Sequence, residues 1–144
     1  MEGSAALESA RVICALRRHA GDLFPINGSN IPLDICLIVS LRYHEGSPLT
    51  MKQLVQELPY SEAGIQYNIR MLKDQNWILL RQGTEDKRVR HLIPARKLES
   101  ALLDFQTRAE STINGEDETE NLGLYTNLAS YGEHTLHAPG GGGG

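Results

Sequence analysis

The sequence predicts a mainly α fold that carries a small β-hairpin wing (α+β). Three observations lead to this fold class. Apolar residues recur at helical spacing through most of residues 1–112. Two short helices with capping signals follow one another after Pro48. An apolar strand, a charged tip and a basic return strand come directly after them, so residues 50–94 are interpreted as a winged helix-turn-helix.

Helices one and two are expected to build much of the core. Helix one spans residues 4–20, where an apolar stripe is interleaved with charged residues, and Gly21-Asp22 ends it. Helix two spans residues 31–46, with Asn30 as its N-cap and Pro32 in its first turn. It is apolar on nearly every face, which is typical of a central core helix.

Helices three and four each begin with a capping signal. Thr50 and Gln53 have the spacing of a capping box, and the helix that they start runs to about Leu58 before Pro59 stops it. Ser61 repeats the N-cap signal for helix four. Hydrophobic staples are expected between the residue before each cap and the fourth residue after it, which are Leu49 with Leu54 and Tyr60 with Ile65.

Helix four separates its side chains into two faces at 100° per residue. The side expected to lie in the core consists of Ile65, Ile69 and Leu72. The opposite side, which we call the reading face, consists of Ala63, Gln66, Tyr67 and Arg70. Asn76 follows the helix and tolerates the left-handed conformation that ends many helices, and Trp77 is expected to anchor the wing in the core.

The wing is predicted as two short strands around a charged loop. The strands cover residues 77–81 and 88–93, and the loop covers residues 82–87 with Gly83 at its bend. A last helix is then expected over residues 94–112, because Pro94 lacks the N–H that would be unpaired at a helix start.

Charge is distributed unevenly along the chain, whose formal net charge is -4. Residues 1–112 contain 14 basic and 13 acidic residues, whereas residues 113–144 contain five acidic residues and no Lys or Arg. Between Ser61 and Lys97 there are eight basic and four acidic residues. The positive charge therefore concentrates on helix four and the wing, which suggests a local surface for a polyanion.

Two regions follow from this composition. Residues 1–112 are expected to form a winged helix-turn-helix domain with terminal dimerisation helices. Residues 113–144 are expected to form an acidic, disordered tail that ends in a glycine run. The glycines are either an expression scar or native low complexity.

The remaining residues give no sign of catalytic or metal chemistry. Cys14 and Cys36 lack CxxC spacing and are expected to be small buried hydrophobic residues, with a redox switch near the arginines around Cys14 as the alternative. The five histidines lack ligand spacing, so the sequence predicts no metal site, no cofactor and no enzyme. There is no apolar run of about 18 residues and no signal-peptide pattern. We expect no membrane association and a cytoplasmic protein, associated with the nucleoid if it is bacterial.

Motifs between residues 72 and 94 occur in a recognisable order. They are Leu72, Asn76-Trp77-Ile78, Arg81, Asp86-Lys87-Arg88 and Leu92-Ile93-Pro94. This order resembles the MarR family of winged-helix transcriptional regulators, and the resemblance covers about residues 31–109. Asn76 stands where the family usually has Gly, and Pro94-Ala95 replaces the usual Thr at the start of the last helix.

The resemblance implies a repressor that pairs through its terminal helices. The spare apolar faces of helix one and of residues 94–112 would then form the surface of a homodimer. Proteins of the MarR family often bind a small-molecule effector between the dimer helices and the winged domain. For this chain the effector is unknown, and the polar tips of Tyr43 and His44 are the local hint.

Contact with double-stranded DNA also follows from the residues themselves. A helix about 10 to 12 Å wide fits the major groove, which is about 12 Å wide. In that pose Gln66 would bond adenine, Arg70 would bond guanine, and Tyr67 would contact a thymine methyl group or a phosphate. The alternative is that the reading face is only a solvated helix surface.

The wing and a helix cap are expected to contact the DNA backbone. Lys87, Arg88 and Arg90 would meet phosphates or enter the adjacent minor groove. Asp86 would support the wing by holding Arg88 in a fork-like pair, and Ser61 is the helix cap nearest the DNA. The alternative is an ordinary charged hairpin tip.

Three function classes are therefore compared. The first is a sequence-specific DNA-binding regulator that acts as a homodimer on a pseudo-palindrome with half-sites about 34 Å apart or a multiple of that. The alternative is a winged-helix protein–protein interaction module with an acidic tail and no sequence-specific DNA binding, which the net acidic charge favours. A small enzyme is disfavoured because no catalytic constellation is present in the sequence.

Overall fold

A computed structural model describes residues 2–26 and 28–116 of the chain. Two compact units are distinguished along it. One unit is Leu23–Asp104, which we call the winged-helix unit. The other contains, within the described part, residues 2–22 and 105–116, which we call the terminal unit. Residues 117–144, which include most of the predicted acidic tail, lie outside the described residues.

Helices dominate the described residues, and one antiparallel hairpin accompanies them. The elements in chain order are α1 (Glu2–Leu23), α2 (Ile31–His44), α3 (Met51–Glu57), α4 (Glu62–Asp74), β1 (Ile78–Gln82), β2 (Arg90–Pro94) and α5 (Arg96–Ile113). This order confirms the predicted fold class, a mainly α winged helix-turn-helix with a β-hairpin wing. None of the helices in residues 2–26 and 28–116 combines the length and the apolar composition needed to cross a membrane.

The core of the winged-helix unit lies where α2 packs against α4 and β2. Its side chains are almost completely inaccessible to solvent, and they include Ile35, Cys36, Val39, Leu54, Ile65, Ile69, Leu72, Ile78, Leu92 and Leu98. Burial of such apolar surface is the main stabilising contribution to a fold of this size. The expected separation of α4 into a buried and an exposed side is therefore confirmed.

Helix α2 differs from the sequence expectation at its start and on one face. Asn30 is the N-cap residue, as predicted, but it has helical dihedral angles and its side chain forms no capping hydrogen bond. The Ser29 hydroxyl instead accepts a hydrogen bond from the Ile31 N–H at 3.2 Å. Leu37 and Leu41 are exposed, because only the opposite side of α2 packs against α4 and β2.

The strands of the hairpin have bounds different from the predicted ones, with β1 at Ile78–Gln82 and β2 at Arg90–Pro94. Ile78 lies opposite Pro94 and Gln82 lies opposite Arg90. Pro94 is therefore the last residue of β2, and the prediction that it starts the last helix is wrong. The reason is that the strands stay together one residue further, where the Ala95 N–H donates to the Trp77 carbonyl oxygen at 3.0 Å.

Helix α1 is longer than predicted and continues through Gly21-Asp22 to Leu23. Pro25 accounts for the observed end, because a proline disfavours helical dihedral angles in the residue before it. In the terminal unit, His19 is buried and its Nε2 lies 3.0 Å from Thr112 Oγ1. Gly3 to Ala10 are all exposed although they are helical.

The two cysteines differ in burial. Cys36 is fully buried, and this desolvation raises the pKa of its thiol to about 12. Cys14 is only half-buried, so the expectation that both are buried holds for Cys36 alone. A thiol with so high a pKa stays protonated at neutral pH and is a poor nucleophile.

Candidate nucleic-acid interface

The starts of α3 and α4 are fixed by the predicted caps. The Thr50 side chain accepts from the Gln53 N–H at 3.2 Å, and the Gln53 side chain accepts from the Thr50 N–H at 2.9 Å, which confirms the capping box. The Ser61 hydroxyl accepts from the Gly64 N–H at 3.1 Å, which confirms the cap of α4. These local bonds define where each helix of the pair begins.

Two side-chain interactions join α2 to the helix-turn-helix, and neither was predicted from the sequence. The Tyr60 hydroxyl donates a hydrogen bond to the Asp34 carboxylate, and this bond is the main reason that the pKa of Tyr60 is raised. Arg42 donates to both carboxylate oxygens of Glu57, at 3.1 and 2.9 Å, and this pair raises the Arg42 pKa. The turn between α3 and α4 is thus held from outside as well as by its own caps.

The C-terminal end of α4 forms a Schellman-type cap. Asn76 has the predicted left-handed conformation with φ 64°. The Trp77 N–H donates to the Leu72 carbonyl oxygen at 2.8 Å, and the Asn76 N–H donates to the Lys73 carbonyl oxygen at 3.1 Å. Trp77 is buried, which confirms its predicted role as a core anchor.

All four residues of the reading face, Ala63, Gln66, Tyr67 and Arg70, are exposed. Tyr67 is the most exposed of the large hydrophobic residues in the described part of the chain, with 67% of its surface accessible. Gln66 Nε2 lies 3.3 Å from Glu62 Oε1 one turn earlier. An open depression of about 290 Å³ is lined by Tyr67, Arg70, Met71, Asp74 and Gln75. The face therefore offers both protruding side chains and a shallow recess to an incoming surface.

The tip of the wing is a compact turn organised by Asp86. The Asp86 carboxylate accepts from the Arg88 N–H at 3.0 Å and lies 3.3 Å from Arg88 Nε through the same oxygen, so the pair is not the bidentate fork that was expected. The Val89 N–H donates to the Asp86 carbonyl oxygen at 3.1 Å, and the Gly83 N–H donates to the Val89 carbonyl oxygen at 2.8 Å. Arg88 consequently lies in the loop and not in the predicted strand.

Most of the cations near this surface are free of internal partners. Lys87, Arg88 and Arg90 are exposed, and 92% of the Arg88 side chain is accessible. Within the described part of the chain, Arg70, Lys87 and Arg90 form no ion pair. Charges that are not neutralised internally remain available to an external anion.

Within residues 2–26 and 28–116, no group of three or more His, Cys, Asp or Glu side chains is arranged to hold a metal ion.

Comparison with known proteins identifies the fold through structure alone. No protein-family model matches the sequence, and no curated protein matches it either. Among solved structures, S. aureus MepR bound to ethidium bromide is similar with a TM-score of 0.62 and 14% identity, over 94% of this chain and 96% of that one. A MepR mutant bound to an oligodeoxyribonucleotide is similar with a TM-score of 0.58 and 17% identity, over 93% and 96% of the two chains.

A third similar structure is a MarR-like transcriptional regulator from Thermotoga maritima, with a TM-score of 0.52 and 15% identity over 94% and 96% of the two chains. At these identities the likeness is one of fold. The chain has the winged-helix fold of MarR-like transcriptional regulators, as the sequence resemblance predicted.

Proposed function

We propose that this chain is a sequence-specific double-stranded DNA-binding transcriptional regulator that acts in the cytoplasm. One observation carries the proposal. An exposed helix face that bears Gln66, Tyr67 and Arg70 is followed along the chain by a wing whose cations Lys87, Arg88 and Arg90 are exposed, on a chain whose net charge is -4. A net acidic protein that concentrates exposed cations in one such segment is suited to bind a polyanion locally.

The reading face supplies the groups that recognise bases. Gln66 has the amide donor and acceptor that match adenine, and Arg70 has the paired donors that match guanine. Tyr67 precedes Arg70 by three residues and therefore lies on the same side of α4. From this position it contacts a thymine methyl group or a phosphate. Ala63 lies one turn further toward the N-terminus and leaves room for close approach to the DNA.

The wing supplies charge and not sequence information. Lys87, Arg88 and Arg90 contact phosphates or the adjacent minor groove, and Asp86 orders the turn that presents them. The Ser61 cap directs the N-terminal end of α4 toward the DNA, where a helix N-terminus favours phosphate. Affinity from such contacts depends strongly on salt.

A second copy of the chain is needed for specificity, because one winged helix contacts few bases. The terminal unit supports a homodimer. Its Leu7 and Ile13 are 58% and 57% accessible although both lie on a regular helix, and Ile113 is exposed on α5. A two-fold dimer would bind a pseudo-palindrome with half-sites about 34 Å apart or a multiple of that. By family resemblance the regulator is a repressor.

The proposed regions of the chain keep the boundaries suggested by composition. The winged helix-turn-helix domain with its terminal dimerisation helices is proposed for residues 1–112, together with Ile113, the last residue of α5. The acidic sequence after Ile113 is not part of the proposed domain.

Selection of bound sequences from random duplexes, combined with sedimentation at micromolar concentration, tests the proposal. The expected result is an enriched pseudo-palindrome and a dimeric protein. The matched control is the variant Gln66→Ala, which keeps the net charge and is expected to relax the preference at one position of each half-site. A monomer would contradict the dimer and the palindrome. No enrichment by the full chain would leave a protein-interaction module as the better interpretation.

A further inference from the structure

The C-terminal end of α4 is held by a side chain from α5. Lys97 Nζ donates to the carbonyl oxygen of Gln75, the C-cap residue of α4, at 3.1 Å. The same ammonium group lies 4.4 Å from the centroid of the Trp77 ring. A cation at this position satisfies a terminal carbonyl group, complements the helix dipole and interacts with the aromatic ring.

The backbone brings the same two elements together. The Trp77 N–H bonds back into α4 at Leu72, and the Trp77 carbonyl oxygen accepts from the Ala95 N–H, one residue before α5. Trp77 is thus hydrogen-bonded to the end of one helix and to the residue before the next. Lys97 adds a side-chain bond across this junction, 22 residues from Gln75 in sequence.

Helix α5 is also attached to α2. Glu99 Oε1 lies 2.7 Å from His44 Nε2 at the C-terminal end of α2. The first turn of α5 therefore contacts both the end of α4 and the end of α2. Both contacts lie within the winged-helix unit.

We propose that Lys97 is a positioning residue that holds the C-terminal end of α4 and thereby fixes the orientation of the reading face. The inference rests on the proposed DNA-binding function and assigns to it a residue that lies outside the contact surface. Lys97 itself does not belong to the reading face or to the wing.

The chain contains one tryptophan, so its fluorescence reports on this junction directly. Lys97→Met keeps the aliphatic stem and removes the ammonium group, whereas Lys97→Arg retains a cation and a donor. The matched control is Arg96→Met, which removes a charge from the same exposed turn. We expect Lys97→Met to shift the emission of Trp77 in the free protein, and Lys97→Arg and Arg96→Met to leave it close to that of the wild type.

Binding to the selected duplex supplies the second readout. Lys97→Met is expected to weaken specific binding by no more than about thirtyfold, the upper limit that a helix-end charge and an exposed cation–π contact reach together. Nonspecific binding and the salt dependence of specific binding are expected to stay as in the wild type. Lys97→Arg is expected to restore the specific affinity.

Two outcomes overturn the inference alone. The first is an equal loss of specific and nonspecific affinity with a shallower salt dependence, which would make Lys97 a phosphate contact. The second is a Trp77 emission that is the same in Lys97→Met and in the control Arg96→Met. That result would mean that Lys97 does not contact Gln75 and Trp77 in solution. A wild-type chain that selects no sequence would instead remove the proposed function and the inference with it.

Discussion

Removal of the cations of the wing is expected to weaken DNA binding and to make the affinity less dependent on salt concentration. The perturbation is the double variant Arg88→Ala, Arg90→Ala. Both side chains are exposed, and the pair of Arg88 with Asp86 is an exposed contact worth less than about 1 kcal/mol. The free energy of unfolding should therefore change by no more than about 0.5 kcal/mol, as for other surface substitutions.

The size of the binding effect follows from the number of phosphates involved. Each phosphate contact contributes about 0.9 to the slope of log K against log salt concentration, so two contacts contribute about 1.8. Between 50 and 200 mM salt this difference amounts to about a factor of ten in affinity. The ratio of the wild-type affinity to the variant affinity should therefore fall about tenfold as the salt concentration rises over this range, for every duplex sequence.

Fluorescence anisotropy with a labelled duplex, titrated at several salt concentrations, measures both slopes. The matched control is Gln82→Ala, which truncates an exposed side chain opposite Arg90 in the hairpin and changes no charge. Parallel slopes for the variant and the wild type would refute the assignment of the wing to phosphates. A loss confined to the selected sequence would indicate that the arginines read bases instead.

Three further predictions concern the backbone and the thiols. Asn76→Ala should lower the free energy of unfolding by about 1 kcal/mol, because alanine is strained at a φ of 64°, whereas Asn76→Gly should not lower it; denaturant titration measures both. Gly83→Ala should displace the tip of the wing, because the added Cβ would lie 2.9 Å from the Asp86 carbonyl oxygen. Faster exchange of the amide hydrogen of residue 83 in the variant would report the displacement. Cys36, whose thiol has a pKa of about 12, should react with a thiol reagent at pH 8 only on unfolding and more slowly than Cys14.

Each of these predictions has a result that contradicts it. Equal stability of Asn76→Ala and Asn76→Gly would mean that residue 76 is not left-handed in solution. Unchanged exchange in Gly83→Ala would mean that the turn has room for a methyl group. Equal reaction rates for both thiols in the folded protein would mean that the core around Cys36 opens readily.

Signals that are local in sequence predicted the structure well. The capping box of Thr50 and Gln53, the Ser61 cap and the left-handed Asn76 each depend on residues within a few positions of one another. The buried and exposed sides of α4 followed from helical periodicity alone. Such features are set by backbone geometry that a short stretch of chain determines for itself.

The misplaced boundaries came from competition between neighbouring signals. Asn30 occupies the N-cap position of α2, but the hydroxyl that accepts from an N–H of the first turn belongs to Ser29. The Asp86 carboxylate accepts a hydrogen bond from the Arg88 N–H, so the return strand begins only at Arg90. Pro94 is acceptable both at a helix start and at the end of a strand, and the pairing of the hairpin decides between them.

The ties between elements could not be predicted from the sequence. Asp34 with Tyr60 and Lys97 with Gln75 are separated by 26 and 22 residues and follow no periodic pattern. The staple position of Tyr60 indicated that its ring would face the turn, but it gave no partner for the hydroxyl group. Long-range polar contacts of this kind depend on how the helices pack, which is settled only when the fold is complete.

The two-stranded hairpin has a consequence for solubility. Among the described residues β1 pairs with β2 alone, so its other edge presents unpaired N–H and C=O groups next to the exposed Leu79. Such an edge is a template on which another chain can add a strand, and natural proteins guard it with charge. Lys87, Arg88 and Arg90 at the end of this hairpin repel a second hairpin that approaches edge to edge. A chain with a neutral wing is therefore expected to aggregate more readily.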